Sequence, residues 1–167
     1  EVAERVQSIG ETLAGLGATV SDTARPEIDF QESFEIYSSL LWGVMAAGMP
    51  EEEKEAFRDL RGQPGDGSIA SDLQRFAIQE HGEWLAYSNQ RFRLRQQWDA
   101  FFNDWDILIC PQTATEAFPH DHGDYLGRTL QVDNEEQDYF RQVFWAGTIT
   151  LAHLPSTVFP TGPSRAG

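Results

Sequence analysis

The 167-residue sequence predicts a helix-rich α/β fold, and three observations carry that reading. Apolar residues recur at helical spacing over most of the chain. Three short apolar runs, bounded by Gly or Pro, have the length of strands. The order is helix–strand, several helices, strand, long loop, helix, strand, as expected of part of a sheet flanked by helices.

Val2, Val6, Ile9, Leu13 and Leu16 step by three or four and predict the first helix. Gly17 stands where a helix ends in a left-handed residue, and Ala18-Thr19-Val20 reads as a short strand closed off by Pro26. Asp29, with Glu32 three residues on, forms a capping-box signal for a second helix to about Ala47. Its expected inner face is Phe30, Phe34, Tyr37, Leu41 and Val44. Met49-Pro50-Glu51-Glu52-Glu53 starts a third helix, with proline in the first turn and acids at the positive end of the dipole.

A Gly/Pro break at 62–68 interrupts the pattern. Ser71 with Gln74 then opens the longest expected helix, to about Asp104, or roughly 50 Å at 1.5 Å per residue. Its stripe is Leu73, Phe76, Ala77, Trp84, Tyr87, Leu94, Trp98, Phe101 and Trp105. Aromatics at this spacing are core residues rather than a cofactor-stacking box. Asp106–Cys110 fits a buried strand stopped by Pro111. Residues 111–133 show little periodicity and form a long loop of the kind that carries function. Asn134 with Gln137 caps a last helix bearing Tyr139, Phe140, Val143 and Phe144, and Leu154–Pro160 is the third strand. One domain accounts for the whole length.

Charge narrows the function. With 12 Lys+Arg against 27 Asp+Glu, the formal net charge is −15. Nucleic acid and anionic membrane surfaces would be repelled, so neither is an expected partner. The longest apolar stretch, around Leu40–Met49, is far short of a membrane span, and no leader opens the chain; a soluble, cytoplasmic protein is expected. A single cysteine, Cys110, leaves no internal disulfide and reads as an inert thiol among isoleucines and leucine.

Catalytic motifs are scarce. His120-Asp121-His122-Gly123-Asp124 matches H-x-H-x-D, the opening of a metallo-β-lactamase type of zinc site. Position 125 is Tyr where that motif continues with histidine, and only His81 and His153 remain as further ligands. No G-x-S-x-G elbow and no phosphate-binding glycine loop is present. The one lysine, Lys54, sits among Glu51, Glu52, Glu53 and Glu55, whose carboxylates hold its proton on. No catalytic residue and no cofactor is assigned from these residues.

Trp105-Asp106-Ile107-Leu108-Ile109-Cys110-Pro111-Gln112-Thr113-Ala114 resembles the stretch of Asp, apolar residues and Pro-x-Thr found in the C-terminal half of amidase signature enzymes. Residues 134–162 resemble that family's helix–Ala-Gly/His-Leu-Pro–strand–Pro-x-Gly passage, most closely over Leu154–Gly162. The opening helix followed by Leu16-Gly17-Ala18-Thr19-Val20 is similar as well. Matching landmarks run from about residue 1 to 167, with 28–100 adding only helical length.

The resemblance implies a hydrolase of carbon–nitrogen amide bonds using a Ser–cis-Ser–Lys triad. No Gly-Gly-Ser-Ser-Gly stretch and no suitable lysine occurs here, so the chain reads as a C-terminal portion of an amidase, inactive alone, with the missing N-terminal part as its first partner. The resemblance also brings the loop after the Pro-x-Thr corner toward the active site. Thr113, Phe118, His120, His122 and Tyr125 are therefore the candidate contacts to a small-molecule amide substrate. A non-catalytic helical interaction module is the alternative, and a metallohydrolase using His120 and His122 a further one. Strands cut from a larger sheet leave unpaired edges, so a homodimer is expected.

Overall fold

The computed structural model describes residues 1–60 and 68–165. Six α-helices and one hairpin make up its regular structure: α1 (Val2–Gly15), α2 (Phe30–Met45), α3 (Glu51–Leu60), α4 (Ile69–Phe76), α5 (His81–Phe101), β1 (Thr129–Val132), β2 (Glu135–Asp138) and α6 (Phe144–Leu151). Short 3-10 turns flank them at Ala46–Gly48, Tyr125–Gly127 and Tyr139–Val143.

Local chemistry sets the helix ends. Gly17 has φ 98°; its N–H donates to the Ala14 carbonyl and that of Ala18 to the Leu13 carbonyl, each at 3.0 Å. That pair of bonds is a Schellman stop, which a left-handed glycine accommodates without strain. The Asp29 carboxylate accepts from the N–H groups of Gln31 and Glu32 at 2.8 and 3.0 Å, as its position predicts. At the end of α6 the same stop recurs, with His153 at φ 58° in the glycine position.

Helix α2 is the centre of the molecule, packed by α4, α5 and α6. Ser33, Ser38 and Ser39 on it are fully enclosed, their small side chains permitting close approach. Ile36, Leu40, Leu94 and Leu151 form one apolar cluster, and Trp42, Ala46, Leu73, Phe76 and Ala77 another. The face expected for α2 is thereby rotated: Phe34 is buried, whereas Val44 is 63% exposed and Ile36, Leu40 and Trp42 point inward. Three flanking helices, rather than one, set this orientation.

The long helix expected over Ser71–Asp104 is two helices. Ser68, not Ser71, caps the first, its Oγ accepting from the Ser71 N–H at 3.2 Å. The break between α4 and α5 is made by Gln79. Its amide donates to the Phe76 and Ser39 carbonyls at 2.7 and 2.8 Å, and its oxygen accepts from Ser39 Oγ at 3.2 Å. Glu83 then accepts from the Glu80 N–H at 2.8 Å to start α5. The aromatic stripe is core as expected: Leu73, Phe76, Ala77, Leu94 and Trp98 are all buried.

Strand content is corrected. Two strands are described rather than three, and they pair as an antiparallel hairpin. None of Ala18–Val20, Asp106–Cys110 or Leu154–Pro160 belongs to a ladder. Apolar character favours burial, but a strand also needs a partner for its backbone, and the described residues supply none. Ile107, Val158 and Phe159 remain 73%, 70% and 53% exposed. Asn134 begins no helix: the hairpin and a 3-10 turn occupy 129–143, and α6 starts only at Phe144. The break expected at 62–68 lies outside the described residues except for Ser68.

The two ends of the chain meet. Arg5 donates to the Thr161 and Pro163 carbonyls, and Arg165 Nη2 to Glu4 Oε2 at 2.7 Å. No helix among the described residues is long and apolar enough to cross a membrane.

Candidate functional site

The hairpin β1–β2 is the scaffold of the site. Val132 pairs with Glu135, so the turn is the two residues Asp133 and Asn134, with φ 51° and 67°. Positive φ at both positions matches the right-handed twist of the strands, and Asn and Asp tolerate it better than most residues. The last rung places Arg128 opposite Tyr139, whose N–H donates to the Arg128 carbonyl at 3.0 Å.

Against this hairpin lies the irregular loop through Phe118 and Asp121. Phe118 meets Tyr139 edge to face with centroids 5.8 Å apart, and Tyr125 meets Tyr139 at 6.1 Å. The Arg128 guanidinium lies 5.6 and 5.9 Å from the Tyr125 and Tyr139 ring centres, within cation–π range of both. Its Nη2 donates to the Gly123 carbonyl at 3.1 Å and so ties the loop to the hairpin. Asp121 turns its carboxylate onto the Gly123 N–H at 2.7 Å. Together these residues enclose a cleft of about 410 Å³, walled by Phe118, His120, His122, Arg128, Leu130 and Tyr139 among others.

Three of the five candidates, Phe118, His120 and His122, line this cleft. Tyr125 stands behind it on Tyr139, and partial burial pushes its phenol above the ordinary 10.0. Thr113 lies elsewhere: its hydroxyl donates to the Thr115 carbonyl at 2.9 Å, beside Gln142, whose Oε1 accepts from the Ala114 N–H at 3.1 Å. The His120 and His122 rings are 6.0 Å apart, edge to face. No group of three His, Cys, Asp or Glu side chains among the described residues is arranged to hold a metal ion. Arg128, Leu130 and Tyr139 escaped the sequence reading. The signal that marks them is Asp-Asn flanked by Thr129–Val132 and Glu135–Asp138, a two-residue hairpin pattern read instead as a helix cap.

A family model described as Amidase matches residues 1–167. The chain belongs to the amidase family. No curated protein and no solved structure matches it. In this amidase chain the Pro-x-Thr corner is Pro111-Gln112-Thr113, followed by Ala114, whose N–H is held by Gln142, and the His-Leu-Pro passage is the Schellman stop at His153 followed by irregular backbone. Cys110 of the amidase is half-buried and its thiol is pushed up by that burial, so it is not a ready nucleophile. Lys54 is partly exposed on α3 and donates to the Ala47 carbonyl at 3.2 Å.

Proposed function

We propose that this chain is the scaffold and one cleft wall of an amidase that hydrolyses a small amide, with the bond-breaking groups supplied by other residues of the protein. The match of the Amidase family along residues 1–167 carries the reading. By the family resemblance the machinery is a Ser–cis-Ser–Lys triad. Its lysine must lose a proton, which requires desolvation or positive neighbours. The chain's one lysine has other surroundings, partly exposed on α3 beside Glu51, Glu52, Glu53 and Glu55 in the sequence.

The cleft beside the hairpin is the part turned to substrate. Phe118, Leu130 and Tyr139 offer it an apolar surface, while His120, His122 and Arg128 offer hydrogen-bonding groups. Tyr125 buttresses the wall and Thr113 fixes the base of the loop. The exposed, unladdered segments around Ile107 and Val158-Phe159 are surfaces for the rest of the protein and, without it, for a second copy of this chain.

Joined to the part of the protein that holds a lysine and a Gly/Ser-rich run, the chain is expected to release ammonia from benzamide, and alone to release none. A complete, folded parent inactive on a panel of small amides and aryl esters would overturn this reading.

A further inference from the structure

The substrate class follows from what Arg128 is free to do. Its Nη2 is engaged by the Gly123 carbonyl, and its Nε is enclosed without a partner between the aromatic rings. Nη1 donates to no acceptor among the described residues, and no carboxylate there forms an ion pair with the guanidinium. Yet carboxylates are close at hand. Asp121 lines the cleft but its carboxylate is bonded to the Gly123 N–H, and Asp138 accepts from the Phe140 N–H at 2.8 Å. Asp121, the acid that lines the cleft, is thereby turned to its own backbone rather than to the guanidinium.

The guanidinium is held by two tyrosines and one carbonyl, so its side-chain entropy is already spent. A planar fork fixed in this way matches a carboxylate better than any neutral acceptor. Phe118, Leu130 and Tyr139 beside it fit an aromatic or apolar body, and His120 and His122 can donate further hydrogen bonds.

We propose that the cleft binds amides that carry a carboxylate on an aromatic or apolar body, and that Arg128 selects that carboxylate. The proposal rests on the amidase reading for the word amide, but not for the carboxylate site itself. The test is a titration of the 167-residue chain with 4-carbamoylbenzoate and with benzamide, read from the imidazole proton shifts of His120 and His122. The carboxylate-bearing amide is expected to bind about tenfold more tightly. Arg128→Gln should abolish the preference, Arg128→Lys should restore part of it, and Arg25→Gln, an exposed arginine outside the cleft, should leave it unchanged. Equal affinity of the wild-type chain for the two compounds, or binding of neither, would overturn the proposal even if Arg128→Gln failed to fold. Preference retained in a folded Arg128→Gln protein would overturn it as well. In the assembled enzyme, selective binding without turnover of either compound would remove the amidase reading and leave the carboxylate site standing.

Discussion

Tyr139 and Arg128 are joined twice, by the backbone bond from the Tyr139 N–H to the Arg128 carbonyl at 3.0 Å and by the guanidinium lying 5.9 Å from the tyrosine ring centre. The first contact closes the hairpin, and the second fixes the direction of the arginine. Phe118 and Tyr125 both rest on the same ring, so one residue organises loop and hairpin together. Tyr139→Ala is therefore expected to cost about 1–2 kcal/mol and Tyr139→Phe almost nothing. Urea denaturation of the two variants measures the difference; equal losses would show that the phenol, not the ring, matters.

Gly147 allows α6 to approach α2. A Cβ built there would lie 2.7 Å from Tyr37 Cδ1, inside any tolerable contact. Gly147→Ala is expected to destabilise the fold by about 1–3 kcal/mol despite its better helix propensity. A lowered midpoint in thermal or urea unfolding checks this, and a neutral result would mean the helices sit further apart than described.

His153 occupies a left-handed position at φ 58° that glycine fills more easily. Its ring contact with Arg91, 3.4 Å between Nε2 and Nη1, is exposed and long. His153→Gly should stabilise the chain by about 0.5–1 kcal/mol, relief of backbone strain outweighing the lost contact. Destabilisation on that substitution would assign the histidine a larger packing role.

Asp72 carries a pH dependence opposite in sign to that of most carboxylates. Burial raises its carboxyl above the ordinary 3.8, partly offset by Ser38 and Arg75. The folded state therefore holds the proton more tightly than the unfolded one, and this residue's contribution falls as pH rises from 3.8 through the raised value. Relative to wild type, Asp72→Asn should gain stability across that window and no further beyond it. Parallel stability curves at pH 3 and pH 7 would contradict the assignment.

What the sequence reveals of this fold depends on how local the cause is. Gly17 and Asp29 act on their own neighbours, and both helix ends lie where the residues place them. The break before α5 contains neither Gly nor Pro; it comes from Gln79 reaching Ser39, 40 residues away, and no local pattern could announce it. The three apolar runs were legible as segments that prefer burial, but whether they ladder depends on a partner strand that their own residues do not name. The hairpin went unseen for the converse reason. Its residues Thr129–Asp138 are largely polar, and its identity lies in the backbone conformation of Asp133 and Asn134. Phe118, His120 and His122 are candidates through the family resemblance alone, whereas Arg128 and Tyr139, which line the same cleft, become visible only once that hairpin sets them side by side.

The exposed apolar segments bear on association. With Ile107, Val158 and Phe159 open to solvent, the isolated chain should gain mass with concentration in light scattering, toward a dimer. A concentration-independent monomer mass would show that these side chains are tolerated at the surface.

The most direct test of the account is amide turnover, measured as ammonia released from benzamide by these 167 residues alone and again after the lysine- and Gly/Ser-bearing part of the protein is added. Silence from the first and hydrolysis from the second is the predicted result. Turnover by the chain alone, abolished by replacing one of its own serines or His120, would contradict it.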